Sequence, residues 1–224
     1  MTILESADSQ VYVDGQVLYE DQLEYLVDSS GGQIRIKVLV NRDSARVPSQ
    51  VIVRVPQQMD VTVETNTASV TAESYLGDLA VSSVAGNINI EEVNGVMMLG
   101  SNRGDITVKE SSGQVGIVGN YGRLKTQNVK GELSVSTIMG NIVFNGLVQD
   151  GDKVRLETDH GAVTVNLNED SSLAIKVSST SGDVACMLPG ITSTARACTG
   201  NLGVGAGSLW IRTVSGAVLI QKMP

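Results

Sequence analysis

The chain has 224 residues, of which 42% are hydrophobic and only 3% aromatic, and its formal net charge is −8. This acidity and the absence of any basic run oppose binding to nucleic acid or to an anionic membrane surface through bulk charge. No apolar stretch approaches the length of a membrane span. MTILESADSQ lacks the cationic and apolar segments of a signal peptide, so the chain as written reads as intracellular.

In chain order, residues 1–58 come first and carry no repeat. VYV (11–13), QVLY (16–19), QIRIKVLV (33–40) and QVIVRVP (50–56) alternate as strands. Asp14-Gly15, Ser29-Ser30-Gly31-Gly32 and Asn41-Arg42-Asp43 separate them, and Glu20–Val27 fits a helix or a strand. No linker-like composition divides this block from Val61. It is predicted to be a β cap on the following structure, within the same domain.

From residue 59 to 224 the chain is repetitive. Gly77, Gly86, Gly95, Gly104, Gly113, Gly122, Gly131 and Gly140 stand nine residues apart. Two kinds of nonamer alternate, GDLAVSSVA-like from Gly77 and GNINIEEVN-like from Gly86, so the true repeat is 18 residues. In both kinds the second and fourth residues after glycine are mainly aliphatic, as in Met97/Leu99 and Ile106/Val108. That alternation marks a short strand with one buried face.

Beyond Gly140 the spacing loosens, but a motif persists: a Ser or Thr, two variable residues, a glycine, one residue, then an aliphatic. It recurs at SVAGNI (83–88), SNRGDI (101–106), TIMGNI (137–142), TDHGAV (158–163), STSGDV (179–184) and TVSGAV (213–218). This adds Gly161, Gly182 and Gly216 to the turn glycines. GNYGRL (119–124) and ACTGNL (197–202) read as degenerate copies, and TNTASV (65–70) as a first copy with Ala68 in the glycine slot. Each glycine is predicted to need a positive φ or a close backbone approach, and each hydroxyl to bond a turn amide.

Together these features predict an all-β protein, a parallel β-solenoid (β-helix) of about nine 18–21-residue coils with an N-terminal β cap. One coil cannot bury its apolar face alone, so neighbour contacts supply the stability. The nonamers lack the second glycine and the aspartate of calcium-binding nonapeptides, and the sixfold aliphatic spacing of hexapeptide helices is absent.

Few residues suggest chemistry. Cys186 falls in an inward slot, which predicts a buried thiol, while Cys198 falls in a turn slot, so the two need not touch. With a single histidine they form no recognisable metal spacing. His160 beside Asp159 could form an acid/base dyad, but its turn position is occupied elsewhere by Ala85, Arg103, Met139 and Ser181. Arg103-Gly104-Asp105 spells a cell-attachment tripeptide around a register glycine. Asp105 and Arg123, one coil apart, read as a surface ion pair. At the outward positions one after glycine, Asp78, Val96, Gln114 and Glu132 in one series and Asn87, Asp105, Arg123 and Asn141 in the other, no two carboxylates stand at adjacent coils as a glycosidase would need.

VIVRVPQQMDVTVETNTASVTAES followed by GDLAVSSVAGNINIEEVNG resembles the bacterial putative-adhesin family, with the similarity spanning roughly residues 34–222. Its marks are the strand ending Arg54-Val55-Pro56 and the Ser-Gly-Asp turn, clearest at Ser179–Val184. The resemblance implies a β-solenoid domain of unknown function, often associated with the cell envelope, with no catalytic residues to transfer. The reading that follows is a non-enzymatic, adhesin-like interaction module with no cofactor, metal or nucleic acid, presenting a rigid surface to a protein or glycan. Two alternatives stand beside it. One is a self-assembling filament of bactofilin type, joined through an uncapped edge at WIRTVSGAVLIQKM; the other is a carbohydrate-active β-helix enzyme.

Overall fold

The computed structural model describes residues 1–6, 10–17, 23–28, 33–40 and 49–223. The described residues form strands without any helix, and the architecture is β-solenoid-like. The N-terminal strands are β1 (Thr2–Glu5), β2 (Tyr12–Val17), β3 (Leu23–Asp28), β4 (Gln33–Val40) and β5 (Ser49–Val55). The central ones are β6 (Asp60–Thr65), β7 (Val70–Leu76), β8 (Leu79–Ser83), β9 (Ile88–Ser101), β10 (Ile106–Lys109), β11 (Ser112–Gly119), β12 (Leu124–Gln127), β13 (Lys130–Thr137) and β14 (Ile142–Gly146). Then come β15 (Lys153–Thr158), β16 (Val163–Leu167), β17 (Leu173–Ser179), β18 (Val184–Met187), β19 (Thr192–Ser193), β20 (Ala197–Leu202), β21 (Gly207–Thr213) and β22 (Val218–Lys222).

Through the regular region each residue pairs in parallel with its equivalent one repeat away. Val115 lies opposite Met97 and Leu133, and Ile106 lies opposite Ile88 and Leu124. The two nonamers of a repeat therefore build two stacks. The first runs through β4, β6, β8, the second half of β9, β11, β13 and β15; the second runs through β7, the first half of β9, β10, β12, β14 and β16. The predicted inward positions form the core, from Leu79 and Val81 through Met97, Leu99, Ile106 and Val108 to Ile142 and Phe144, all at most 2% exposed.

A third inward position, not predicted from the sequence, lies at the corner between the stacks. Ser74, Glu92, Glu110 and Asn128, each one repeat apart, all have left-handed backbone with φ of 45–56°. The turn they make points the next residue inward, so Tyr75, Val93, Ser111 and Val129 are buried at 0–3% exposure. Ser111 fits because its hydroxyl accepts from the Val93 amide at 3.1 Å and donates to the Lys109 carbonyl at 2.7 Å.

The predicted roles of the glycines separate by series. Gly77, Gly95, Gly113 and Gly131 have positive φ, from 98° to 152°. Gly104 and Gly122 do not, which corrects the positive-φ explanation for that series. There the constraint is contact, since a Cβ on Gly122 would run into the carbonyl oxygen of Gly104, and one on Gly104 into that of Gly86. The hydroxyl three residues ahead accepts from the glycine amide, as at Ser101 to Gly104 (2.8 Å) and Thr137 to Gly140 (3.1 Å).

Spatial order departs from chain order at both ends. β21 lies between β15 and β17, and β22 between β16 and β18, all parallel. The last coil is thus inserted between two coils formed earlier in the chain. In the same way β1 lies between β5 and β7. The expectation that WIRTVSGAVLIQKM ends the stack as an open edge is therefore corrected, because β21 and β22 are paired on both sides.

The copy read at ACTGNL is likewise no solenoid turn. It is β20, which runs antiparallel on β17 and carries the two-residue β19 on its outer side. At the other end β2 runs antiparallel on β5, and β3 on β4.

Two substitutions test this packing. Gly122→Ala is expected to lose at least about 2 kcal/mol, because its Cβ meets backbone that cannot yield. Gly100→Ala, whose Cβ would find nothing nearer than 3.9 Å, is expected to leave the melting temperature unchanged. Thr126 is fully buried in register between Val108 and Phe144, and its hydroxyl has no hydrogen-bond partner. Thr126→Val is expected to stabilise by about 1 kcal/mol in denaturant unfolding.

Candidate functional site

Strand alternation leaves each outward side chain in a column with its equivalents on neighbouring coils. Many polar residues in these columns bond their neighbours. Asp78 accepts from the Val96 amide at 2.9 Å, Asn87 from that of Asp105 at 2.9 Å, and Asn141 from that of Ala162 at 2.9 Å. Side chains link directly as well, Ser74 to Glu92 (2.8 Å), Asn128 to Glu110 (2.7 Å), and Asn145 through Asn166 to Gln221. These groups stitch coil to coil.

The sequence candidates fall within this stitching. Asp105 accepts from the Arg123 backbone amide at 2.8 Å, so the expected side-chain ion pair is corrected to a backbone contact. The same bond engages the acid of Arg103-Gly104-Asp105, and Gly104 is buried. His160 bonds Ser215 on the inserted coil, Nδ1 to Oγ at 2.8 Å, and Asp159 contributes only its carbonyl, which accepts from Ser215 Oγ at 3.3 Å. Among the described residues, Lys109 pairs with Glu91 at 3.5 Å and Arg155 with Glu157 at 3.0 Å, both at the surface. Tyr75 holds its proton well above the usual phenol range, through burial first and then the nearby Asp60 and Asp78.

Cys186 and Cys198 form a disulfide, with Cα atoms 6.5 Å apart. This corrects the expectation of a buried free thiol at Cys186 and of a turn at Cys198. Cys186 does occupy the inward slot opposite Ile220. Cys198 reaches it because β20 folds back on β17 instead of starting a new coil, which places Cys198 opposite Val177.

What the stitching leaves over is an apolar strip. On the solvent side of the first stack Met98 is 62% exposed and Val118 60%. The Met98 sulfur lies over Gly116, directly opposite it in register. The strip continues onto the turn edge with Tyr121, Ile138 and Met139, which are about half exposed. The turns also stack by backbone bonds, Tyr121 amide to Asn102 carbonyl and Met139 amide to Asn120 carbonyl, so the strip has a fixed shape.

Residues 1–221 match the family described as Toastrack DUF4097. The chain belongs to that family. No curated protein matches it. Among solved structures it is similar to a crystal structure of a putative cell adhesion protein from Clostridium sporogenes ATCC 15579. The identity is 11%, with 99% of this chain and 87% of that chain covered and a TM-score of 0.26.

In this Toastrack chain the disulfide ties β18 to the ribbon of β19 and β20 that covers the end of the stack. It closes a loop with a sequence separation of 12 residues, for which about 2–4 kcal/mol is expected. Cys186→Ser/Cys198→Ser is expected to lower the melting temperature by that equivalent, and reductant to shift only the parent protein. An unshifted parent would mean that strand pairing alone holds the ribbon.

Proposed function

We propose that this Toastrack protein is a non-enzymatic, adhesin-like interaction module, a rigid parallel solenoid of about nine coils whose apolar strip docks a protein partner. The observation that carries this reading is the strip of Met98, Val118, Tyr121, Ile138 and Met139, solvent-facing yet fixed by the coils beneath. Exposed large apolar side chains gathered on one rigid surface are the usual mark of a binding face. Neighbouring polar groups support it, since many already bond adjacent coils. The disulfide supports a location in an oxidising compartment, because such bonds persist outside the reducing cytosol. The site of action in this reading is extracytoplasmic.

Labelled protein is expected to bind saturably to envelope preparations of its own organism. Met98→Lys/Val118→Lys is expected to reduce that binding at least tenfold with no change in melting temperature, since both side chains face solvent. Binding by the double variant equal to the parent would overturn the reading.

A further inference from the structure

The chain contains one tryptophan, and strand alternation puts it outside. Leu209 and Ile211 on either side are 1% and 0% exposed, so Trp210 stands on the solvent side of β21. The inserted coil then decides its neighbours. Arg155 lies opposite it on β15, Lys176 opposite it on β17, and Thr199 one strand further on β20. The Arg155 guanidinium sits over the ring, 4.4 Å from its centroid, while Glu157 holds the same group at 3.0 Å.

This end of the face is cationic in an acidic chain. Lys153, Arg155, Lys176 and Arg212 all point to solvent; of the carboxylates beside them, Glu157 is already paired with Arg155, and Glu132 stands opposite Lys153 at the far side from Trp210. On the side of Trp210 away from Arg155 lies a shallow cleft of about 310 Å3, bounded by β21, β17 and β20. The dip has a simple cause. Ala174 stands in register between Ser208 and Asn201, and its side chain ends at Cβ. Trp210 and Lys176 flank the dip, with the hydroxyls and amide of Ser208, Thr199 and Asn201 around it.

These groups select a ligand by chemistry. The indole ring face is partly negative and accepts the C–H face of a sugar ring, as it accepts the cation on its other side. Hydroxyl and amide groups exchange hydrogen bonds with sugar hydroxyls. Lys176, Arg212 and Lys153 surround the site with positive charge that attracts an acidic chain. Single-stranded nucleic acid fits less well, because its successive bases stack on successive aromatics and the cleft lining offers Trp210 alone. The disulfide, a bond of oxidising compartments, favours a glycan over a nucleic acid as well.

We propose that the Trp210 cleft binds an acidic polysaccharide, with one uronic acid ring against Trp210 and its carboxylate taken by Lys176. This rests on the reading of the protein as a binding module and names the ligand class of another part of the same face.

The test is calorimetry and affinity electrophoresis of the intact, disulfide-bonded protein with polygalacturonate and hyaluronan. Dextran serves as the neutral control and oligothymidylate as the nucleic-acid control. Saturable binding to at least one acidic glycan is expected, weakening as salt rises, with no retention by dextran. Trp210→Ala is expected to weaken binding at least tenfold. Lys176→Gln and Arg212→Gln, both on solvent-facing side chains, are expected to weaken it several-fold at an unchanged melting temperature. The lysine variant carries the test if Trp210→Ala lowers stability.

The proposal is overturned if neither glycan binds, if Trp210→Ala and Lys176→Gln both bind like the parent, or if oligothymidylate binds more tightly than either glycan. If the glycans fail while envelope binding still depends on Met98 and Val118, the glycan site falls and the module reading stands.

Discussion

Everything in this molecule rests on how closely one coil's backbone approaches the next. Along one turn edge the carbonyl of each glycine occupies the space that a side chain on the next coil would need. The contacts run from Gly86 through Gly104 and Gly122 to Gly140, then to Gly161, Gly216 and Gly182. That approach holds equivalent residues in register, and register turns a short motif into continuous columns. Inward columns become the core by burying aliphatic side chains, each worth about 1.5–3 kcal/mol. Outward columns become fixed rows of functional groups.

The regular part of the fold was legible because its cause is local. Period-two alternation within a nonamer determines which residues are buried, and the glycine beat determines how long a coil is. Val115, Ile117, Leu133 and Val135 all lie where that reasoning placed them. The corner position escaped because Ser74, Glu92, Glu110 and Asn128 are of three different residue types; what recurs at all four is the left-handed backbone. The ends escaped for a different reason. A repeat specifies how a coil packs on an equivalent coil, but not which one. The motif around Gly216 matches those around Gly161 and Gly182 equally well, and the chain places it between them.

The same ambiguity hid the candidate site. Arg155, Trp210 and Lys176 are far apart in sequence and become a column only through the inserted coil. A signal for Trp210 was present, since alternation with Leu209 and Ile211 points it outward. Its neighbours could not be read without the order of coils. Cys186 and Cys198 follow the same logic, brought together by a strand that reverses direction where the repeat implied another turn. By contrast, His160 and Arg103-Gly104-Asp105 were visible as motifs because their residues are contiguous, and in the fold they take part in links between turns.

Insertion of the last coil also fixes the order of events in folding. A solenoid that adds coils in chain order can grow as the polypeptide emerges, each new coil docking on the last. Here β17 and β18 cannot dock finally on β15 and β16, because that place belongs to residues 207–222, which are made later. The ribbon of β19 and β20 pairs on the other edge of β17. The C-terminal third must therefore close as one cooperative unit rather than coil by coil, and contacts of such long sequence separation form slowly. A chain interrupted before residue 207 would leave two coils with complementary faces and no partner between them. Its most accessible misfolded form is the tidy one, with the coils stacked in the order in which they are written.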